Sequence, residues 1–132
     1  MIERFSHQKI FSNKAKIKIW EKNNLKFTIK RVYIVKNINY LNKRYGHAHK
    51  KLNQVLTCLN GSIKIKLYDG KRFKLFRLND TSKSIFIKKG LWREITYTRK
   101  NSILMVFCDA KYEEKDYIRD FSKYKKWKKS NS

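Results

Sequence analysis

Gly46-His47-Ala48-His49, continuing Lys50-Lys51-Leu52-Asn53-Gln54-Val55-Leu56-Thr57-Cys58-Leu59-Asn60-Gly61, is the stretch on which the fold turns. Side chains alternate along a strand, so His47 and His49 project from the same face. The chain has 3 histidines, and two of them stand here. The run from Lys50 to Gly61 reads as a strand that closes in a turn at Leu59-Asn60-Gly61-Ser62. Paired imidazoles on one strand face suit metal ligation or acid–base chemistry near neutral pH. The plain alternative is two ordinary histidines on a strand.

The rest of the chain reads as further short strands. Lys16 to Trp20 alternates, and so does Phe27 to Lys36, with Phe27, Ile29, Arg31, Tyr33 and Val35 on one face. That face sets Arg31 and Tyr33 among apolar residues. A barrel interior holding an anionic ligand explains this better than a half-buried strand with its Arg in water. Asn39 to Tyr45 reads as a loop. Ile63, Ile65 and Leu67 point inward, Asp69-Gly70 is a hairpin turn, and Phe73 to Leu78 returns. Ser84 to Ile87, Arg93 to Thr98 and Ser102 to Cys108 supply three more strands. Asp109 to Asp116 is polar, and Tyr112 to Trp127 is helical or irregular. Short strands with turns at this density predict an all-β sandwich or closed jelly roll. No repeat or linker divides the 132 residues, so a single domain over 1–132 is expected, with a basic tail over 123–132.

Composition narrows the class. With 8 Phe, 8 Tyr and 3 Trp, the chain favours strands. No apolar run reaches the length of a membrane-spanning helix, and Met1-Ile2-Glu3-Arg4-Phe5-Ser6-His7 lacks a signal core, so a cytoplasmic protein without membrane insertion is expected. Cys58 and Cys108 lie in apolar strand patterns and read as buried free thiols. The net charge of +24 is the usual footprint of nucleic-acid binding. Here the charge is spread, apart from Lys123 to Lys129, and no helix-turn-helix, zinc-finger or RNA-binding motif accompanies it. Specific nucleic-acid binding is therefore not expected. A positive pocket for a sugar diphosphate uses the same charge.

The spacing His49, Gln54, Gly61 fits the first motif of the cupins, with Gln54 where a metal-binding Glu usually sits. The second motif, normally P-x-G-x-x-H, reads Lys88-Lys89-Gly90-Leu91-Trp92-Arg93, so the third ligand histidine has become Arg93. Two imidazoles, an amide and a guanidinium do not make a divalent-metal site. No metal and no cofactor are expected, which frees the histidines for acid–base work.

Arg31-Val32-Tyr33, Arg44 to Lys50, Gln54 to Cys58, Gly61-Ser62, Asp69-Gly70, Trp92-Arg93-Glu94 and Asp116-Tyr117-Ile118-Arg119 occur in order. Over about residues 8–124 this set resembles the dTDP-4-keto-6-deoxyglucose 3,4-ketoisomerases, the WxcM-like, FdtA/QdtA-type group of cupins. The resemblance implies a homodimer of jelly rolls with exchanged N-terminal strands. It implies an isomerase that moves the ketone of a dTDP-linked sugar from C4 to C3 through an enediol, without metal. The product then serves 3-amino-3,6-dideoxy sugars of surface glycans such as O-antigen. Carried onto this chain, the implied catalytic residues are His49 as carbon base, His47 as oxygen shuttle and Tyr33 as hydrogen-bond donor to the enediolate. Arg31, Arg44 and Lys14 are expected at the diphosphate, with Gln54 and Arg93 lining the pocket.

Two departures stand out. The family pattern D-x-R-G-x-L is replaced by Asn13-Lys14-Ala15-Lys16-Ile17, and R-G-x-H-A-H by Arg44-Tyr45-Gly46 before the histidines. Arg93 resembles the branch that gives the gluco product. Other classes stay open: a non-catalytic sugar-nucleotide-binding cupin, a basic nucleic-acid-binding domain, and a metal-dependent dioxygenase for which His7 is the one histidine left. An epimerase would pair its His with an Asp, and none stands near His47 and His49 in the sequence.

Overall fold

The computed structural model describes residues 2–5, 8–11, 15–21, 25, 27–37, 46–81 and 83–131. His7, Lys14, Arg44 and the predicted loop over 39–45 lie outside them. The chain runs β1 (Ile2–Phe5), β2 (Gln8–Phe11), β3 (Lys16–Ile19), β4 (Arg31–Asn37), β5 (His47–His49), β6 (Gln54–Asn60) and β7 (Ser62–Tyr68). It continues through β8 (Phe73–Asn79), β9 (Ser84–Ile87), β10 (Trp92–Tyr97), β11 (Ser102–Cys108), β12 (Tyr117–Ile118) and α1 (Phe121–Ser130). One antiparallel sheet has the order β1-β9-β6-β11-β4, a second has β12-β5-β10-β7-β8, and β2 pairs with β3 apart from both. The mostly-β, two-sheet expectation therefore holds, with one helix added.

The core lies between the two sheets. Ile63, Ile65 and Leu67 of β7 face Leu56, Leu104 and Val106 of the other sheet, all nearly inaccessible. Period-2 alternation produces this directly, since the intervening Lys64 and Lys66 point away. Gly61 turns the chain between β6 and β7 with φ of 81°, a backbone that disfavours L side chains.

Two strand boundaries differ from the sequence reading. The strand expected from Lys50 begins at Gln54, and the one expected from Phe27 begins at Arg31. In the first case side chains take over the backbone groups that a ladder would have used. Asp116 accepts from Lys51 N at 2.7 Å and from Leu52 N at 3.3 Å. Asp109 accepts from Asn53 N at 2.9 Å, and Asn53 in turn accepts from Lys89 N at 2.8 Å.

The basic C-terminal segment is a packed helix. Asp120 caps it by accepting from Lys123 N at 2.9 Å. Phe121, Tyr124 and Trp127 share the face laid on the outer side of the second sheet, against Trp92 and Tyr68. The Tyr124 hydroxyl donates to Gly90 O at 2.8 Å, with Tyr68 O at 3.2 Å.

Trp92 faces this helix and donates from Nε1 to Glu94 Oε2 at 3.0 Å. Gly46 runs so close that a Cβ there would fall 2.5 Å from Trp92 Cζ2. Gly46→Ala must displace either the indole or the strand carrying His47. The expected loss is about 1–3 kcal/mol of stability, the usual cost of overpacking, read as a lower urea midpoint.

Candidate active site

A cavity of about 310 Å³ opens between the sheets. Arg31 and Tyr33 enter it from β4 because they occupy alternate, inward positions of that strand. Across the cavity stand His47 of β5 and Arg93 of β10, paired in register. Gln54 of β6 forms part of the wall, and Tyr117 and Arg119 close it from the chain's last strand onward. Leu56, Ile95, Leu104 and Val106 supply the apolar remainder.

His49 lies one layer behind. It is fully buried, and its ring packs 4.3 Å from Tyr117 and 5.0 Å from His47 between centroids. Its Nδ1 is 3.0 Å from Asp116 Oδ2. Burial pushes its pKa down to about 3, reinforced by the guanidiniums of Arg93, Arg31 and Arg119. The neutral ring donates from Nδ1 to Asp116, which leaves the Nε2 lone pair without a hydrogen-bond partner among the described residues. That is the state required of a general base.

Three guanidiniums set the electrostatics. Arg93 is 1% exposed and has no carboxylate partner among the described residues; it donates to Gln54 Oε1 and, at 3.1 Å, to Leu91 O. Burial lowers its pKa to about 10, so it stays charged at neutral pH. Arg31 donates to Cys108 Sγ at 3.5 Å, and its Cζ lies 5.3 Å from the Tyr33 ring centroid. Arg119 is held by Glu114 at 2.9 and 3.0 Å and stacks on Tyr117 at 4.1 Å. Burial raises the Tyr33 pKa, which keeps its phenol protonated, and Gln54 Nε2 lies 3.4 Å from the phenol oxygen. A buried positive cavity of this kind stabilises an oxyanion or a phosphate.

Of the residues singled out from sequence, the structure gathers His47, His49, Tyr33, Arg31, Gln54 and Arg93 in one region. Lys14 and Arg44 fall outside the described residues. No Asp stands near the histidines in sequence, but the fold supplies one from a distance: Asp116, 67 residues from His49, is in contact with it in space. Asp116, Tyr117 and Arg119 are site residues that the sequence reading does not assign. The signal was the polar Asp-Tyr-Ile-Arg segment itself, whose pairing with β5 local patterning cannot reveal. Cys58 and Cys108 are buried free thiols, as read. Among the described residues no three of His, Cys, Asp and Glu converge, and the buried Arg93 is unsuited beside a cation.

Two packed antiparallel sheets around a cationic cavity, with a His–Asp pair one layer behind it, are the architecture of a cupin-like enzyme. The chain belongs to the FdtA family, described as WxcM-like, C-terminal, whose model it matches over residues 3–129. It is 36% identical over 118 residues to TDP-4-oxo-6-deoxy-alpha-D-glucose-3,4-oxoisomerase of Aneurinibacillus thermoaerophilus, covering 89% of this chain and 85% of that one. The sugar 3,4-ketoisomerase QdtA of Thermoanaerobacterium thermosaccharolyticum, in complex with TDP, superposes with a TM-score of 0.92 at 34% identity, covering 98% and 96% of the two chains. A His-to-Asn variant of QdtA is known in complex with TDP-4-keto-6-deoxyglucose. The WlaRB TDP-quinovose 3,4-ketoisomerase of Campylobacter jejuni gives 0.87 at 31% identity, covering 95% and 97%. The chain is an isomerase, a sugar-nucleotide 3,4-ketoisomerase.

The depressed His49 pKa has a consequence for stability. Its folded value, about 3, lies below the unfolded value of 6.5, so the native state binds fewer protons between them. The contribution is complete above pH 6.5 and is lost as pH falls toward 3. Urea unfolding of the native protein should weaken across that window, and His49→Asn should flatten the slope.

Proposed function

We propose that the protein converts dTDP-4-keto-6-deoxyglucose into dTDP-3-keto-6-deoxyglucose, the gluco product, by metal-free acid–base chemistry. The observation that carries this reading is the hydrogen bond from His49 to Asp116, which fixes a neutral imidazole with a free lone pair beside a cationic cavity. The relatives' named activity and the TDP bound to QdtA support the substrate class. The gluco assignment rests on Arg93, which matches the branch carrying Arg after the family Trp.

The C3 proton, acidified by the C4 carbonyl, leaves to His49 Nε2. The bond electrons form the C3–C4 double bond and place negative charge on the C4 oxygen. Arg93 and the Tyr33 phenol stabilise that charge. His47, at the cavity wall, takes the proton of the C3 hydroxyl and delivers it to the C4 oxygen side. The His49 imidazolium, its proton exchangeable with solvent, then protonates C4, which regenerates the base and leaves the ketone at C3. Tyr117 stands between His49 and the cavity, so substrate entry must move its ring aside for Nε2 to reach C3. Arg31 and Arg119 receive the diphosphate at the mouth, with Lys14 and Arg44 as further contacts. Gln54 holds Arg93 and the Tyr33 oxygen in place.

Proton NMR of the protein with dTDP-4-keto-6-deoxyglucose in deuterated water, after EDTA treatment, tests this. Keto transfer to C3 with deuterium at C4 supports it, and ring couplings give the C4 configuration. An unchanged spectrum sinks the substrate assignment and favours a binding protein without turnover. His49→Asn should lower kcat by about 10²–10⁴-fold and abolish C3 proton exchange, whereas His47→Asn should slow turnover but leave exchange. The reverse pattern would swap the two roles.

The same reading includes a cytoplasmic homodimer supplying an aminotransferase that makes 3-amino-3,6-dideoxy sugars for surface glycans. In support of the dimer, the first sheet is apolar on its outer side too. Val32 and Ile34 of β4 are 48% and 58% exposed there, beside Met105. An exchanged N-terminal strand would take the β1 position at the edge of that sheet. Ile34→Lys should shift the mass measured by light scattering from dimer to monomer.

A further inference from the structure

The outer side of the second sheet, on the opposite face from the cavity, carries a feature that the isomerase reading does not use. α1 spends its whole apolar face on the sheet, burying Tyr124 and packing Phe121 and Trp127. What it presents to solvent includes Lys125, Lys126 and Lys129, all exposed. Among the described residues no carboxylate pairs with these three. The nearby acids are committed: Asp120 caps the helix, Asp69 accepts from Lys71 N and Arg72 N within its own turn, and Glu94 accepts from Trp92 Nε1.

Next to the helix, on the same outer face, β8 exposes Phe73 and Leu75 by 43% and 53%. Lys66 stands across from Leu75, and its Nζ lies 4.4 Å from the Phe73 ring centroid. The other contacts of the Phe73 ring are Tyr68 at 4.6 Å and Phe121 at 6.0 Å. The face thus carries an excess of positive charge from Lys64, Lys66, Arg77 and the helix lysines, with Glu94 across from Lys66 and two apolar side chains set among them.

We propose that this face adsorbs to the surface of an anionic lipid bilayer, with Phe73 and Leu75 reaching the headgroup boundary. The excess of positive charge supplies attraction to anionic headgroups, and exposed apolar side chains add to it at the interface. A nucleic acid fits less well. Its bases need open aromatic faces, and the Phe73 ring is already flanked by Lys66 and Tyr68 while Leu75 offers no ring at all. Adsorption would leave the cavity open, because its lining projects from the other side of the sheet. No helix among the described residues is long and apolar enough to cross a membrane, so the contact is with the surface.

The test is flotation of the full chain with phosphatidylcholine vesicles, with and without about one third phosphatidylglycerol. The native protein should float with the anionic vesicles only, and less as salt shortens the Debye length. Combined Lys125→Glu, Lys126→Glu and Lys129→Glu should weaken binding at least about tenfold, at a few-fold per basic residue, with isomerase activity retained as the check on folding. Combined Lys83→Glu, Arg99→Glu and Lys100→Glu makes the same change in net charge away from α1 and should weaken it less than about threefold. Leu75→Ser should reduce the fraction that stays bound as salt rises. Equal losses in the two triple variants would overturn the proposal in favour of undirected charge. Capture by a single-stranded oligonucleotide with no flotation would overturn it in favour of nucleic acid.

Discussion

The Asp116 carboxylate is the constraint on which the site depends. One oxygen takes Lys51 N, and the other takes His49 Nδ1 and Leu52 N. A single side chain therefore ties together the strand that carries both histidines, the irregular segment that follows it, and the last strand of the sheet. The pairing of His49 with Tyr117 in register follows from the same arrangement. Orientation of the His49 imidazole and closure of the sheet are therefore one structural event.

The cavity is costly by construction. Among the described residues, the buried Arg93 hydrogen-bonds only to an amide and a backbone carbonyl, and a guanidinium without a counter-charge is expensive to desolvate. The cost is offset when the missing negative charge arrives with substrate or develops on it. Arg119 is treated differently: it is exposed at the mouth and held by Glu114, so it is poised rather than strained. The gradient runs from a solvated, paired guanidinium outside to an unpaired one inside. That suits a ligand whose permanent charge stays near the mouth and whose transient charge forms at depth.

Much of this was legible in the chain. Alternation located β4 and β7 and placed Arg31 and Tyr33 inward, because a strand's period depends only on local pattern. His-x-His and the Trp92-Arg93 pair were legible because spacing alone carries them. Asp116 was not, since its role comes from a long-range pairing through two-residue β12, too short to leave a periodic signal. The late start of β6 was hidden for a related reason. Lys51 to Asn53 look strand-compatible, but Asp109 and Asp116 claim their amides from a distance. His49 and His47 looked equivalent by period, yet only His47 reaches the cavity wall, because Tyr117 covers its neighbour.

The two sheets solve the problem of their outer faces in unlike ways. A sheet apolar on both sides must be covered twice. The second sheet is covered by α1, whose aromatic stripe buries Trp92 while its lysines keep the covering layer in water. The first is covered only in part, where Trp20, Leu25 and Phe27 pack against Val55 and Phe107. This cover stops short of β4, leaving Val32 and Ile34 half exposed on a strand whose other face lines the cavity. Whatever covers that outer side therefore bears on the backbone that aims Arg31 and Tyr33. Assembly through this sheet would stiffen the cavity wall itself, whereas contacts on the helix side would reach it only through the full thickness of the second sheet.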